Sequence, residues 1–85
     1  MIQPSQIRAA RALLGWHQAE LAQRAGIGLA TIQRLERAPD GVLMAHVSTL
    51  MKLIRCFEAV GIMFLMPDQG GGVGVRKAHL GKPPD

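Results

Sequence analysis

The stretch Gly15-Trp-His-Gln-Ala-Glu-Leu-Ala-Gln-Arg-Ala-Gly-Ile-Gly-Leu-Ala-Thr-Ile-Gln-Arg-Leu-Glu36 decides how the chain folds. Two short segments with helical apolar spacing meet at Gly26-Ile27-Gly28, a corner of three residues. The first opens at His17 and runs through Leu21 and Ala22 to about Arg24. A capping box wants a hydroxyl residue followed three positions later by Glu. Glu20 is in place and His17 stands where the hydroxyl belongs, so a neutral imidazole nitrogen is expected to serve as the cap. The second segment, Leu29 to Arg37, starts after Gly28, a weaker but acceptable N-cap, and turns Ile32 and Leu35 inward. Leu21, Ala22, Ala25, Ile27, Ile32 and Leu35 are expected to lock the two helices at one angle. Ala22 is small enough for close approach, and Ile27 plugs the turn.

Working outward, Pro4 to Leu14 has helical spacing at Ile7, Ala10 and Leu14, a proline suited to the first helical position, and Gly15 as its stop. Ala38-Pro39-Asp40-Gly41 breaks the chain after the third helix. A fourth helix is predicted over 46–60, with Leu50, Leu53, Ile54, Phe57 and Val60 or Gly61 as its core stripe. Ile62 to Met66 and Val73 to Arg76, separated by the turn-prone run from Pro67 to Gly72, read as a short hairpin. The expected fold is mainly α: four helices over 1–61, a C-terminal β-hairpin over 62–77, and a frayed tail over 78–85. The apolar run Val42-Leu-Met44 is expected to pack on the core.

Eighty-five residues, 48% apolar and 19% charged, are one globular domain's worth of chain. One cysteine, Cys56, excludes an internal disulfide framework and fits a reducing compartment as a buried thiol. Apolar runs are too short to span a bilayer, and no basic-then-apolar leader opens the sequence, so a cytoplasmic protein is expected. The net charge of +4 points to a polyanionic partner, although solubility alone would also explain it. Residues 1–37 hold five arginines against Glu20 and Glu36, whereas 38–68 hold two bases against three acids. The middle of the chain is therefore the poorest polyanion contact. No catalytic constellation is visible. His17, His46 and His79 are scattered away from Cys56, which argues against a metal site, and the glycines from Gly70 to Gly74 lack the context of a phosphate loop. No cofactor and no enzymatic activity are expected.

Two helices joined at a glycine corner form a helix-turn-helix unit, whose second helix is free to enter a major groove. At Gln18-Ala-Glu-Leu-Ala-Gln23, Thr31-Ile32 and Leu35-Glu36 the chain resembles the phage-repressor type of helix-turn-helix regulator, the XRE or Cro/C1 family. The resemblance covers roughly residues 5–60 and is strongest over 11–36. It implies a compact phage-repressor-like domain that binds double-stranded DNA in the nucleoid. It also implies a regulator of its own or a neighbouring operon, with no room for a separate ligand-sensing domain. An αα-hairpin without a DNA role is the bland alternative.

The resemblance maps function onto particular residues. Gln18 matches a glutamine that bonds a DNA phosphate. Leu29, Ala30, Thr31, Gln33 and Arg34 occupy the recognition face. Arg11 and Glu36 match an ion pair that joins helix 1 to helix 3 and serves architecture. Elementary chemistry ranks the readers: Arg34 carries the fork that fits guanine O6 and N7, while Leu29 and Ala30 offer only apolar contact, as to a thymine methyl. Relatives with paired glutamines at those positions have a different face, so their operators do not transfer. Thr31 and Gln33 could bond DNA or face solvent. Arg37 is a candidate phosphate contact or a solvated charge, and Arg8 and Arg24 read as surface charges. Trp16 reads first as a partly buried lid on the core and second as a DNA or partner contact.

A lone unit buries little DNA surface, and a two-fold partner doubles it. The hairpin offers a route to a homodimer through residues 62–76, with Ile62, Met63, Phe64, Leu65, Met66, Val73 and Val75 as the candidate interface. Two other functions stay open. One is a protein-binding antiactivator or antitoxin that kept the helix-turn-helix shell and lost DNA. The other is a membrane-surface protein, for which a strongly basic amphipathic helix is missing. The residues name no protein co-regulator.

Overall fold

A computed structural model describes residues 2–41 and 45–78. Within them the order is α1 (Pro4–Leu14), α2 (Gln18–Ala25), α3 (Leu29–Arg37), α4 (Val47–Ala59), β1 (Ile62–Leu65) and β2 (Gly74–Lys77). The fold is mainly helical, with a two-stranded antiparallel hairpin at its C-terminal end. The run Val42–Met44, and residues 79–85 with His79, lie outside the described residues.

The corners follow from backbone geometry. Gly15 and Gly26 both end helices in the left-handed region, with φ of 68° and 69°. The next N–H in each case reaches back to close the turn: Trp16 donates to the Arg11 carbonyl and Ile27 to the Ala22 carbonyl, each at 3.0 Å. No atom lies within 4 Å of the site a side-chain carbon would take at either glycine. The requirement is therefore the dihedral angle and not space. Gly28, by contrast, is extended (φ −63°) and caps α3 with its backbone carbonyl alone.

Ile7 and Ala10 of α1, Leu21 and Ala22 of α2, Ile32 and Leu35 of α3, and Leu50, Leu53 and Phe57 of α4 form one core. Ala25 and Ile27 pack against it from the corner. Phe57 is its hub: Trp16 stacks on it at 5.9 Å between ring centroids, and Phe64 meets it edge-on at 5.8 Å. Trp16 is thus a half-buried lid on the core.

The hairpin shares this core. Its register pairs Ile62 with Lys77, Met63 with Arg76, Phe64 with Val75 and Leu65 with Gly74. Alternation turns Ile62, Phe64 and Val75 onto the helices, and Ile62 is only 2% exposed. These three spend their side chains within their own chain, which narrows the apolar surface left for a second copy. Val73 falls just before β2 and is half-buried. Met63 and Met66 stay outside, at 39% and 45% exposure.

Two polar clamps tie distant segments to α1. Gln6, 1% exposed, donates through Nε2 to the carbonyls of Leu65 (3.1 Å) and Gly74 (2.9 Å), and its Oε1 accepts the Gln3 N–H at 2.7 Å. It therefore ties the loop end of the ladder, where Leu65 pairs with Gly74, to the first turn of α1. Asp40 caps α1 from across the chain: it accepts the Ser5 N–H at 2.9 Å and the Ser5 hydroxyl. Gly41 N–H donates back to Gln3 Oε1 at 2.7 Å. The loop after α3 is so fastened to the start of α1.

His17 corrects an expectation. It occupies the N-cap position of α2, but its side chain makes no capping bond. Its backbone carbonyl accepts the Glu20 and Leu21 N–H groups instead. Glu20 is not half of a capping box either, because its carboxylate pairs with Arg24 one turn on at 3.1 Å.

Candidate nucleic-acid interface

The nine residues of α3 divide cleanly between two duties. Ile32, Leu35 and Glu36 turn inward. Leu29, Ala30, Gln33, Arg34 and Arg37 form an exposed stripe on the other side, with Thr31 half-buried at its margin. This is the spacing of one helical face, i, i+1, i+4, i+5 and i+8. The structure therefore brings the sequence-derived readers onto one continuous surface. Leu29 is 41% exposed.

What aims this surface is a knot of hydrogen bonds around Glu36. Its carboxylate is bound bidentately by Arg11, Nε to Oε2 at 2.8 Å and Nη2 to Oε1 at 2.7 Å. Arg11 also donates from Nη1 to the Trp16 carbonyl at 2.9 Å. The Glu36 side chain is 3% exposed and that of Arg11 21%. The bonded carboxylate holds the Arg11 guanidinium above its ordinary value, although burial opposes this. Arg8 adds a bond to the backbone carbonyl of Glu36, one of the acceptors a helix leaves unpaired in its last turn. Arg8 is therefore a C-terminal cap of α3 as well as a surface charge.

Gln18 enters the same knot. Its Nε2 donates to Glu36 Oε1 at 3.2 Å. An amide nitrogen carries two N–H donors, and this bond engages one. Gln18 is also the first residue of α2, where backbone N–H groups point out of the helix and favour an anion. Arg24, the basic residue of α2, lies 4.5 Å over the Trp16 ring while holding Glu20. It is a structural side chain more than a free charge. Cys56 is half-buried, and desolvation pushes its thiol up, the Arg24 charge acting weakly the other way.

Beside the exposed stripe lies a cleft of about 460 Å³ lined by Thr31, Arg34, Ala45, His46 and Thr49. It sits between the exposed side of α3 and the start of α4. The helix-turn-helix motif ends at Arg37 and gives no sign of His46 and Thr49, which only the folded chain brings beside Arg34. The available signal was modest: polar residues in the first turn of a helix that begins soon after the breaker loop.

Among the described residues, no group of three or more His, Cys, Asp and Glu side chains is placed to hold a metal ion. No helix there is long and apolar enough to cross a membrane.

Comparison with known proteins agrees with this geometry. A search of curated proteins finds no match. A family model described as helix-turn-helix matches residues 7–62, more than half of the chain, from the middle of α1 to the first residue of β1. With its four helices, its glycine corner and its exposed α3 stripe, the chain belongs to the helix-turn-helix family of the XRE, or Cro/C1, type, a family of DNA-binding regulators.

Proposed function

We propose that this protein is a sequence-specific transcriptional regulator that lays α3 in the major groove, as a homodimer on a two-fold operator. The observation that carries the reading is the division of α3. Its inward residues are buried and tied to α1 and α2 through Glu36, while Leu29, Ala30, Gln33, Arg34 and Arg37 on its other side are exposed. A rigid helix with an unburied polar face is what groove entry requires.

In this reading Arg34 is the principal base reader, bidentate to guanine, with Leu29 and Ala30 against a thymine methyl. Thr31 and Gln33 add contacts at the margins. Gln18 at the head of α2 and Arg37 at the last position of α3 take phosphates on either side. His46 and Thr49, across the cleft from Arg34, extend the phosphate track.

A second reading rests on the exposure of Leu29 beside Ala30: this apolar start of α3 would suit a protein partner, as in an antiactivator or antitoxin. Selection of bound duplexes from a random pool, repeated at two salt concentrations, separates the two. A regulator enriches a defined sequence, with two-fold symmetry if dimeric, and the salt slope counts its phosphate contacts. Salt-sensitive binding without enrichment, or no binding, overturns the proposal.

A further inference from the structure

The hairpin and its connecting loop carry a groove of about 430 Å³ that shares no lining residue with the cleft beside α3. Phe64, Leu65 and Met66 supply its apolar lining, the glycines at 70–72 one wall, and Asp68 and Arg76 its charges. Asp68 is held in place. Its Oδ1 accepts the Gly70 N–H at 2.7 Å, and its backbone exchanges bonds with Gly71 at 2.9 and 3.3 Å. Its second carboxylate oxygen has no partner among the described residues. Arg76 projects from β2 opposite Met63 and is exposed. It lines the same groove as Asp68, yet the two form no ion pair within the chain.

One surface thus presents a fixed carboxylate, a guanidinium with no ion pair among the described residues, and apolar side chains. Such a surface complements itself under a two-fold rotation, which brings each acid to the other copy's base. An acidic peptide or a nucleic acid would be repelled by Asp68, and a basic one by Arg76. The exposed thioethers of Met63 and Met66 are adaptable filling for a contact between them. Ile62 and Val75, which pack on the chain's own core and do not line the groove, anchor the hairpin beneath.

We propose that the occupant of this groove is a second copy of the chain, with Asp68 of each copy paired to Arg76 of the other. The inference rests on the homodimer reading and gives it a specific pairing.

The test is a charge-reversal cycle read by sedimentation at micromolar concentration: the full chain, Asp68→Arg, Arg76→Asp and the double variant. Each single reversal should weaken the dimer by about tenfold or more, since it sets like charges opposite each other. The double reversal should return within about threefold of the unaltered chain. Asp68→Asn keeps an acceptor for Gly70 and removes the charge, so it separates loss of the pair from loss of the turn. It should weaken the dimer and make it less sensitive to salt. A dimer indifferent to both reversals, or a double variant no better than the singles, overturns the pairing and leaves the homodimer intact. An unaltered chain that sediments as a monomer overturns both.

Discussion

The side-chain amide of Gln18 donates to Glu36 at 3.2 Å, joining the head of α2 to the foot of α3 across the corner. Arg11 holds the same carboxylate from α1. Three helices therefore converge on one acidic group, and the angle of the exposed face is set there as well as in the apolar core.

Loss of Arg11 should be costly for that reason. Arg11→Met leaves the Glu36 charge buried and bound by Gln18 alone, and should destabilise the fold by about 3 kcal/mol, the lower end for breaking such a pair because Arg11 is partly exposed. Replacing both as Arg11→Met with Glu36→Leu removes the stranded charge and should recover much of the loss. Urea unfolding of the three variants measures this; equal losses in the single and double variants would contradict it.

Arg34 should separate binding from folding. It is exposed, so Arg34→Ala should leave stability within about 0.5 kcal/mol. Discrimination at one base pair of the enriched site should fall by about 1–3 kcal/mol. Competition binding with single-base variants of that site reads the effect. A uniform loss across all positions would make Arg34 a phosphate clamp.

Gln6 predicts where the hairpin lets go. Gln6→Leu removes both bonds to β-strand carbonyls and the Gln3 N–H acceptor, at about 1–2 kcal/mol. Gln6→Glu should be worse near neutral pH, because a carboxylate would face the carbonyl oxygens of Leu65 and Gly74. Hydrogen exchange should quicken in β1, β2 and the first turn of α1, and little in α2 and α3.

Asp40 gives an acid-side signature. The bonds from the Ser5 hydroxyl and N–H hold its carboxyl below the ordinary range. Its contribution is therefore complete above the unfolded value, about pH 4, and is lost as pH falls through the lowered folded value. Asp40→Ala should be less stable than the unaltered chain by a constant margin from neutral pH down to about pH 4, with the gap closing below that. Thermal melts across that range test it. A margin unchanged in acid would show that the carboxylate's charge is irrelevant.

Local periodicity was enough to read the helices and the corner. Ile32 and Leu35, spaced by three, and the stops at Gly15 and Gly26 need only neighbours to be interpreted. α4 came within one residue at each end, and β2 shifted by one, since strand ends depend on a partner. What escaped was polar and distant in sequence. Gln6 meets the hairpin 59 and 68 positions away, and Asp40 meets Ser5 at 35. Nothing local marks a glutamine in a helix as buried. His17 failed for the opposite reason, since a local rule assigned its ring a bond that the folded chain does not make.

The division of labour within α3 has an evolutionary corollary. Ile32, Leu35 and Glu36 carry the fold, while Leu29, Ala30, Gln33 and Arg34 carry no packing duty in the core. Substitutions there leave the buried core untouched, so under the proposed reading a handful of surface changes would retarget the chain to new sites.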